Sequence, residues 1–427
     1  MISRNSFGVF IRVLSLIIAA VMAVSCSGNK KGNERDEQME DASGYNGFLK
    51  VSKEGRIIDE KGKEIVLKGV NLGGWLIQES WMCAVNSSES NLESLEILEQ
   101  RGFTSSQIEA LYRSYAENYV TEEDIKSIAE LSLNCIRLPF WYRNFMDGSC
   151  KLYSDDPENN FGFQMMDRLI SWAEKYGIYV ILDMHGCPGG QSTDHSCGQI
   201  GQNGLYTDEK YLSAMEELWV AIALRYKDSK TVVAYDVMNE PMNNNSSYEN
   251  GWAAGSQTAV EYTLAVYDRM IKAIREVDKN HIITVEGVWS AEMLPDPSEY
   301  GWENMMYQLH LYDTSTEMID YRVSELTKVR KDYGVAVYVG EFNNGDENQA
   351  YAYRKYAQND LCWTMWTYKV SKDYLGNWSL YYSAIPSADI KNDSYEEILE
   401  KWGVCLKTEN FTRNDTVYSW LKTFAKR

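Results

Sequence analysis

The chain has 427 residues, of which 44% are hydrophobic and 24% charged, the balance of a globular protein with a sizeable core. This length suits one large α/β barrel or two ordinary domains. The formal net charge of −20 argues against a nucleic acid as partner, because proteins bind nucleic acids through Lys and Arg side chains that neutralise phosphates. It suits a protein that acts on an uncharged ligand.

The first 25 residues have the pattern of a secretory signal. Arg4 and Arg12 precede an apolar stretch, residues 13–24, that is too short to span a bilayer comfortably. Small residues then lead into a single cysteine, which predicts a bacterial lipoprotein signal over residues 1–25 with lipid attached at Cys26. The alternative is an ordinary secretory signal with an incidental cysteine. Both interpretations place the protein outside the cytoplasm, where it is either secreted or anchored by lipid to a bacterial membrane. If it is anchored, we expect the membrane to be the outer one.

Residues 26–46 are polar and lack an apolar period, which predicts a flexible tether ahead of one folded domain over residues 47–427. The cysteines after Cys26 are scattered, with no Cys-x-x-Cys pair and no histidine at metal-ligand spacing, so we predict no metal site. Cys187 and Cys197 lie in one predicted loop. They form either a disulfide or a pair of buried thiols.

A short hairpin is predicted over residues 48–67, and apolar runs of strand length then alternate with helical patterns. The runs are almost continuously apolar, as expected for parallel strands that are buried on both faces. The segment 81–120 is a long first insertion with helical content. The predicted strands are 65–72, 133–140, 178–184, 232–238, 282–285, 305–311, 335–339 and 361–367. The predicted helices are 122–131, 165–176, 208–226, 260–277 and 317–333.

Eight strand–helix units predict a protein of the α/β class with a single (β/α)₈ TIM barrel and long loops at the C-terminal ends of the strands. A doubly wound open sheet is the alternative, but it usually carries a G-x-G-x-x-G turn after its first strand. Residues 69–76 read G-V-N-L-G-G-W-L and lack that order. The sequence has no second domain, no repeat besides the strand–helix unit and no cofactor motif.

Polar residues at the C-terminal ends of barrel strands face the functional site. Glu240 and Glu341 end the fourth and seventh predicted strands, which lie nearly opposite each other across a barrel mouth. A single glutamate at such a position often belongs to a buried ion pair. Two facing carboxyls, however, are what a retaining glycosidase needs as nucleophile and acid/base. The strand-end residues are Arg137, His185, Asn239, Glu240, Glu286, His310, Tyr312, Glu341 and Trp366.

An ordered set of short motifs resembles glycoside hydrolase family 5, the cellulase superfamily in clan A, and most of all its exo-β-1,3-glucanase branch. The resemblance covers most of residues 60–385. The motifs are G-V-N-L-G-G-W-L at 69–76, R-L-P-F at 137–140, H-G-C-P-G-G-Q at 185–191, N-E-P at 239–241, H-L-Y at 310–312, G-E-F at 340–342 and M-W-T-Y-K at 365–369. The resemblance implies that Glu240 is the acid/base and Glu341 the nucleophile.

The same resemblance implies substrate-binding roles for five strand-end residues. Asn239 would hold the sugar 2-hydroxyl, an interaction that strengthens in the transition state. Arg137 and Tyr312 would hydrogen-bond the nucleophile and set its charge. His185 and His310 would line the subsite that holds the reacting ring.

Aromatic and acidic residues complete the predicted site. Trp366 would form the stacking floor of the reacting ring. Glu79 matches a glutamate that contacts the terminal glucose in the exo-glucanase branch, although Ser80 and Trp81 depart from that branch just after it. Glu286 is expected to bind or to support the structure. Further tryptophans at the strand ends suit a glycan groove, and about half of them should cap the barrel instead. They are Trp75, Trp81, Trp141, Trp252, Trp289, Trp302 and Trp378.

The sequence therefore predicts a monomeric, cofactor-free retaining hydrolase of a β-glucan or related β-glucoside. A second interpretation is another family 5 specificity, such as a mannanase, xylanase or glycolipid glycosidase. A third is a non-catalytic glycan-binding lipoprotein on the cell surface. Such proteins usually lose one carboxylate or the arginine, and this chain keeps all three.

Overall fold

The computed structural model describes residue 45 and residues 47–154, 156–244, 253–287 and 290–426, with His195 described by its main chain alone. The predicted signal, the lipid attachment site Cys26, and two of the predicted rim tryptophans, Trp252 and Trp289, lie outside these residues. Among the described residues, no helix has the length and apolar character needed to cross a membrane.

A short antiparallel hairpin precedes the barrel, as the sequence predicts. Strand β1 (Lys50–Val51) pairs with β2 (Ile57–Ile58). Leu49 and Ile57 pack with the N-terminal halves of the barrel strands in a small apolar cluster. Tyr45, the one described residue of the predicted tether, is 5% exposed and donates a hydrogen bond to the carbonyl of Ile178 at 2.6 Å.

Eight parallel strands close into a barrel, which confirms the predicted class and architecture. Each predicted strand overlaps one barrel strand, and neighbours in the chain are neighbours in the barrel. The order begins with β3 (Lys68–Asn71) and, after β4 (Val85–Asn86) in the first insertion, continues through β5 (Cys135–Trp141), β6 (Tyr179–Gly186), β7 (Val232–Asp236), β8 (Ile282–Glu286), β9 (Met305–Leu311), β10 (Ala336–Phe342) and β11 (Cys362–Met365). Strand β11 pairs with β3 and closes the ring.

Helices surround the barrel and bury their apolar faces against the strands. They are α1 (Asn91–Gln100), α2 (Ser105–Tyr119), α3 (Glu122–Glu130), α4 (Phe161–Tyr176), α5 (Glu209–Tyr226), α6 (Gln257–Val277), α7 (Thr316–Tyr333) and α8 (Gly345–Gln358). Local sequence sets their ends. Thr104 and Gln107 form a capping box at the start of α2, and Gly177 ends α4 with a φ of 68°.

The chain after the eighth barrel strand forms small elements that the sequence analysis did not name. Strands β12 (Lys369–Val370) and β13 (Tyr381–Tyr382) form a three-stranded sheet with β15 (Thr412–Arg413), whereas β14 (Ala388–Asp389) pairs with β4 of the first insertion. Helices α9 (Tyr395–Lys401) and α10 (Asp415–Phe424) complete the fold. The C-terminal segment thereby ties the first insertion to the barrel.

Candidate active site

A cavity of about 290 Å³, partly open to solvent, lies at the C-terminal ends of the barrel strands. Strand ends supply its floor, and the loops after β3, β6 and β11 supply its walls. Its lining residues are Glu79, Trp81, His185, Asp194, Ser196, Glu240, Tyr312, Glu341, Trp366 and Trp378. Both predicted catalytic carboxyls and most of the predicted binding residues therefore meet in one cavity.

Arg137, in β5, lies beneath this cavity and is fully buried. Its guanidinium contacts an acceptor in every direction that its fork of donors allows. The partners are Asp236 Oδ2 at 2.8 Å, Asn71 Oδ1 at 3.1 Å, Glu341 Oε1 at 2.7 Å, Asn239 Oδ1 at 2.9 Å and Asp183 Oδ2 at 3.1 Å. Burial alone lowers the pKa of Arg137, but the three carboxylates outweigh it and hold that pKa well above its usual range.

Each oxygen of the Glu341 carboxyl has one strong donor. Oε1 accepts from Arg137 at 2.7 Å and Oε2 accepts from the hydroxyl of Tyr312 at 2.7 Å. Burial raises the pKa of Glu341, while the positive charge of Arg137 and the imidazole of His310 oppose that rise. The carboxyl is therefore oriented by two fixed donors, one of them a buried cation.

Glu240 follows the end of β7 in an unusual main-chain conformation, with a φ of 37°. Its side chain is 25% exposed, and its Oε1 lies 2.8 Å from His310 Nδ1. Burial raises the pKa of Glu240, and the carboxylate of Glu79 raises it further, whereas the imidazole of His185 lowers it. The second glutamate thus sits in surroundings that favour the protonated form.

His310 bridges the two carboxyls. Its Nδ1 lies 2.8 Å from Glu240 Oε1 and 3.4 Å from Glu341 Oε2. The sum of these distances bounds the separation of the two oxygens, and it is smaller than the roughly 6.5 Å at which the carboxyls of inverting glycosidases begin to be found. Burial lowers the pKa of His310 to about 4, so the imidazole is neutral near neutral pH.

Asp183 and Arg137 orient the polar groups on the other side of the cavity. His185 Nδ1 lies 2.7 Å from Asp183 Oδ2, so the imidazole carries its proton on Nδ1 and leaves Nε2 as an acceptor. The side-chain oxygen of Asn239 accepts a hydrogen bond from Arg137. The side-chain nitrogen is thereby turned towards His185 Nε2, at 3.4 Å. Trp366 stacks on the His185 ring at 5.5 Å between centroids and forms one face of the cavity.

The predicted rim tryptophans divide between the cavity and the barrel. Trp378 and Trp81 line the cavity and meet edge to face at 5.5 Å, and Trp378 also stacks on Tyr312 at 5.7 Å. Glu79 accepts a hydrogen bond from Trp81 Nε1 at 2.8 Å, which ties this acidic group to the aromatic wall. The buried tryptophans that pack in the barrel core instead are Trp75, Trp141 and Trp302.

Several residues that hold this site together are not among the predicted site residues. Asp183 and Asp236 interrupt otherwise apolar strands, and a charged residue in a fully buried strand requires a partner. These two charged residues within apolar strands are the sequence feature from which a buried polar network could have been predicted. Gln308 donates to Asp236 Oδ1 at 2.5 Å. Gln191 donates to the carbonyls of His185 at 2.7 Å and Asn239 at 2.9 Å, so it joins the loop after β6 to the end of β7.

Two further expectations concern cysteines and metals. Cys187 and Cys197 are free, buried thiols in the structure. Within the described part of the chain, one set of side chains has the spacing of a metal site, namely Glu240, Glu286 and His310, whose ligand atoms lie within 4.8 Å of one another. Their hydrogen bonds to each other and to the Glu240 main chain account for this spacing.

Comparison with known proteins identifies one family whose members match most of this chain. Residues 87–378 match the family model of cellulase, glycosyl hydrolase family 5. The chain is 29% identical over 363 residues to a β-xylosidase of Phanerodontia chrysosporium, covering 75% of this chain and 71% of that protein. It is 28% identical over 261 residues to a probable glucan endo-1,6-β-glucosidase B of Aspergillus flavus, covering 56% of this chain and 63% of that protein.

A third relative is glucan 1,3-β-glucosidase 1 of Schizosaccharomyces pombe, 23% identical over 291 residues, covering 64% of this chain and 66% of that protein. The chain thus spans just under two thirds of the length of both glucosidases.

Solved structures share the fold at low sequence identity. A rutinosidase from Aspergillus niger superposes with a TM-score of 0.56 at 17% identity, covering 73% of this chain and 92% of that one. An endogalactoceramidase gives a TM-score of 0.56 at 18% identity, covering 83% and 84% of the two chains. The family model spans well over half of the sequence, and the chain therefore belongs to glycosyl hydrolase family 5 and is a glycoside hydrolase.

Proposed function

We propose that the protein cleaves a β-glucan or a related β-glucoside with retention of configuration, with Glu341 as nucleophile and Glu240 as acid/base. The observation that carries this proposal is that one oxygen of each carboxyl lies within 3.4 Å of the same nitrogen, His310 Nδ1, a close approach that favours the retaining arrangement. The surroundings of Glu341 and Glu240 also differ as the two roles require, since a nucleophile must be ionised and a general acid protonated. Glu341 has a buried arginine as partner, whereas Glu240 has an imidazole and another carboxyl nearby.

The reaction has two balanced steps. In the first, a Glu341 oxygen attacks the anomeric carbon while the Glu240 proton passes to the departing oxygen, so that the glycosidic bond breaks and a glycosyl-enzyme ester forms. In the second, Glu240 takes a proton from water, and the water oxygen displaces Glu341 from the anomeric carbon. Two inversions give net retention, and both carboxyls return to their starting protonation states.

The remaining residues would hold the sugar during these steps. The Asn239 amide nitrogen, oriented because Arg137 binds the amide oxygen, would donate to a hydroxyl next to the anomeric carbon. Trp366 offers its ring face to the apolar face of the reacting sugar. Trp81 and Trp378 form a second aromatic surface with Glu79 beside it. This arrangement suits a neutral sugar ring that is stacked on one side and hydrogen-bonded at its edge.

The choice of a glucan rests on the names of the relatives, two of which are glucan β-glucosidases. A β-xyloside is the second candidate. The relative that is matched over 75% of this chain is named a β-xylosidase.

A substrate panel tests the proposed function. Purified protein would be incubated with β-1,3-, β-1,4- and β-1,6-glucans, with xylan, and with aryl β-glucosides and β-xylosides, and the products would be separated by chromatography. We expect hydrolysis of at least one glucan or β-glucoside and a loss of at least about 10³-fold in Glu341→Ala. Binding without hydrolysis across the whole panel would instead favour a glycan-binding protein, and hydrolysis of the xylosides alone would favour the second candidate.

We further propose that lipid attached at Cys26 holds the enzyme at the bacterial envelope, as the signal-like residues 1–25 indicate. Expression with labelled fatty acid in a bacterial host should label the full-length protein and place it in the membrane fraction. Cys26→Ser should abolish both. Release of unlabelled wild-type protein into the medium would show that the signal is an ordinary secretory one.

A further inference from the structure

Glu286 is a third buried carboxyl beside the two that we assign to catalysis. It ends β8, is 2% exposed, and its Oε2 accepts a hydrogen bond from the main-chain N–H of Glu240 at 2.7 Å. Burying a carboxyl costs free energy unless the group is hydrogen-bonded. Here the hydrogen-bond donor is the main-chain N–H of Glu240.

The Glu240 main chain needs such a partner. Its φ of 37° lies in the left-handed region, which is unfavourable for a residue with a side chain and persists only where neighbouring groups hold it. Glu286 binds the N–H of this residue, and the N–H of Met242 donates to its carbonyl at 2.6 Å. The Glu286 carboxyl is therefore one of two groups that fix the turn from which the Glu240 side chain projects.

The same carboxyl approaches the side chain of Glu240 through His310. The imidazole places Nδ1 at 2.8 Å from Glu240 Oε1 and Nε2 at 3.6 Å from Glu286 Oε2. Burial raises the pKa of Glu286 well above its usual range, and the Glu240 carboxyl raises it further. Glu286 thus faces both the main chain of Glu240 and the ring that contacts its carboxyl.

Glu286 is itself held rigidly. The hydroxyl of Tyr267, a fully buried residue of α6, accepts from the Glu286 N–H at 3.2 Å and donates to the Glu286 carbonyl at 3.1 Å. Both polar groups of the Glu286 main chain are therefore bound by one phenol. A support that is fixed in this way can hold a neighbouring side chain to within the fraction of an ångström that catalysis requires.

We propose that Glu286 is a positioning residue for Glu240, an inference that rests on the proposed double displacement. Its carboxyl holds the strained main chain of Glu240 so that the Glu240 carboxyl meets the departing glycosidic oxygen. Glu286 acts through Glu240 and not on the sugar.

Leaving-group dependence tests this role, because a misplaced acid matters most when the departing oxygen needs a proton. Glu286→Leu removes the acceptor, whereas Glu286→Gln keeps an acceptor oxygen at the same place. The parameter kcat/KM would be measured with aryl glycosides of the preferred sugar, one with a dinitrophenol and one with a phenol leaving group. For Glu286→Leu we expect the phenyl glycoside to lose at least about tenfold more than the dinitrophenyl glycoside. Glu286→Gln should stay within about threefold of wild type for both.

Glu325→Leu is the matched control, since Glu325 is also a buried carboxyl, 4% exposed, but bonds Arg322 away from the cavity. It should lower the melting temperature and leave the ratio of the two substrates unchanged. Equal losses on both glycosides in Glu286→Leu, or equal effects of Leu and Gln, would overturn the proposal. If the Leu variant does not fold, Glu286→Asp, which withdraws the acceptor, is compared with Gln in the same way. Should the wild type cleave no glycoside at all, the proposed function fails as well.

Discussion

At the scale of single residues, Arg137 distinguishes the surroundings of Glu341, which it contacts, from those of Glu240, which contacts His310 instead. Its guanidinium is fully buried and shared among three carboxylates and two amide oxygens, so the charge is compensated without solvent. A lysine would keep the charge but offer three donors from one point, which does not match a planar fork.

We therefore predict that Arg137→Lys lowers kcat/KM by at least about 10²-fold, since Glu341 and Asn239 would both lose a fixed donor. Thermal unfolding should also show a loss of stability of roughly 3 kcal/mol, because the buried carboxylates lose their close, directed contacts with a cation. Arg413→Lys, which alters an exposed ion pair with Asp415, is the control and should change neither quantity. Near wild-type activity in Arg137→Lys would contradict the proposed role of the arginine.

The hydroxyl of Tyr312 gives a prediction about pH. In the proposed mechanism Glu341 must be ionised to attack, so its protonation would set the acid limb of the pH profile of kcat/KM. The phenol donates to the Glu341 carboxylate and favours its charged form, while burial raises the pKa of Glu341. Removing the donor in Tyr312→Phe should raise that pKa further.

The acid limb should accordingly move to higher pH in Tyr312→Phe, and the basic limb, which the proposed mechanism assigns to deprotonation of Glu240, should stay in place. A pH series of kcat/KM on one aryl glycoside measures both limbs. An acid limb that stays in place or moves to lower pH would show that Tyr312 does not set the charge of Glu341.

Glu240 gives a third prediction at this scale. Glu240→Ala should lose most activity on substrates with poor leaving groups and retain more on activated aryl glycosides, because the missing proton is needed least there. Azide, a small nucleophile that needs no general base, should restore turnover and yield a glycosyl azide. Glycosyl azide would be detected by mass spectrometry, and its absence for every aryl glycoside would count against Glu240 as acid/base.

At the scale of elements, Gly340 explains how β10 approaches β9. A Cβ atom at this position would lie 2.0 Å from Gln308 Oε1 and 3.0 Å from His310 Nε2. Gln308 in turn holds Asp236, which holds Arg137. A side chain at the position before Glu341 would therefore have to displace Gln308 and crowd His310.

Gly340→Ala should displace the Gln308 amide and, through it, the Arg137 network. We expect a loss of about 1–3 kcal/mol in stability and a lower kcat/KM, as overpacking of a buried site usually causes. Thermal unfolding and kinetics would be compared with Gly148→Ala, where the nearest atom to the new Cβ is 3.5 Å away. Equal behaviour of the two variants would show that β10 tolerates a side chain at this position.

The elements also show which parts of the molecule could be predicted from sequence. Strand β9 was predicted to the residue over 305–311, because an apolar run between turn signals leaves little choice. Helix α8 was not predicted, since its buried face consists largely of tyrosine and alanine and its first residues are Gly345 and Asp346. The short C-terminal strands were not predicted because pairing with distant segments, such as β14 with β4, defines them.

The candidate active site also has features that could be predicted from the sequence and features that could not. The pair Glu240 and Glu341 was predicted from strand order together with the motifs N-E-P and G-E-F, because strand ends in a barrel converge. The contact of Glu286 with the Glu240 main chain was not, since it depends on a local turn with a positive φ that no pattern in the sequence announces. The same holds for Gln191, whose amide crosses from one loop to the carbonyl of Asn239.

At the scale of the whole molecule, the negative charge of the protein and of its cavity is the feature that bears on the charge of the substrate. The net charge is −20, and four of the residues that line the cavity are acidic, namely Glu79, Asp194, Glu240 and Glu341. A negative field of this kind lowers the local concentration of anions and leaves neutral ligands unaffected.

We therefore predict that a carboxymethylated glucan is hydrolysed more slowly than its neutral parent at low ionic strength. Raising the salt from about 0.01 M to about 0.5 M should narrow the difference, because screening shortens the range of the field. Initial rates on both polymers at several salt concentrations measure this, with the neutral glucan as internal control. Equal rates at low salt would show that the acidic cavity does not select against anionic glycans.

The most direct test of the central claim is covalent trapping of the nucleophile. An activated fluorosugar, the 2-fluoro glycoside of the preferred sugar, slows the second step of double displacement and allows the glycosyl-enzyme to accumulate. Peptide mass spectrometry after digestion should then find the fluorosugar on Glu341 and on no other residue, with activity lost in parallel. A label on Glu240 or Glu286, or the absence of any label while the product forms with inverted configuration, would contradict the proposed mechanism.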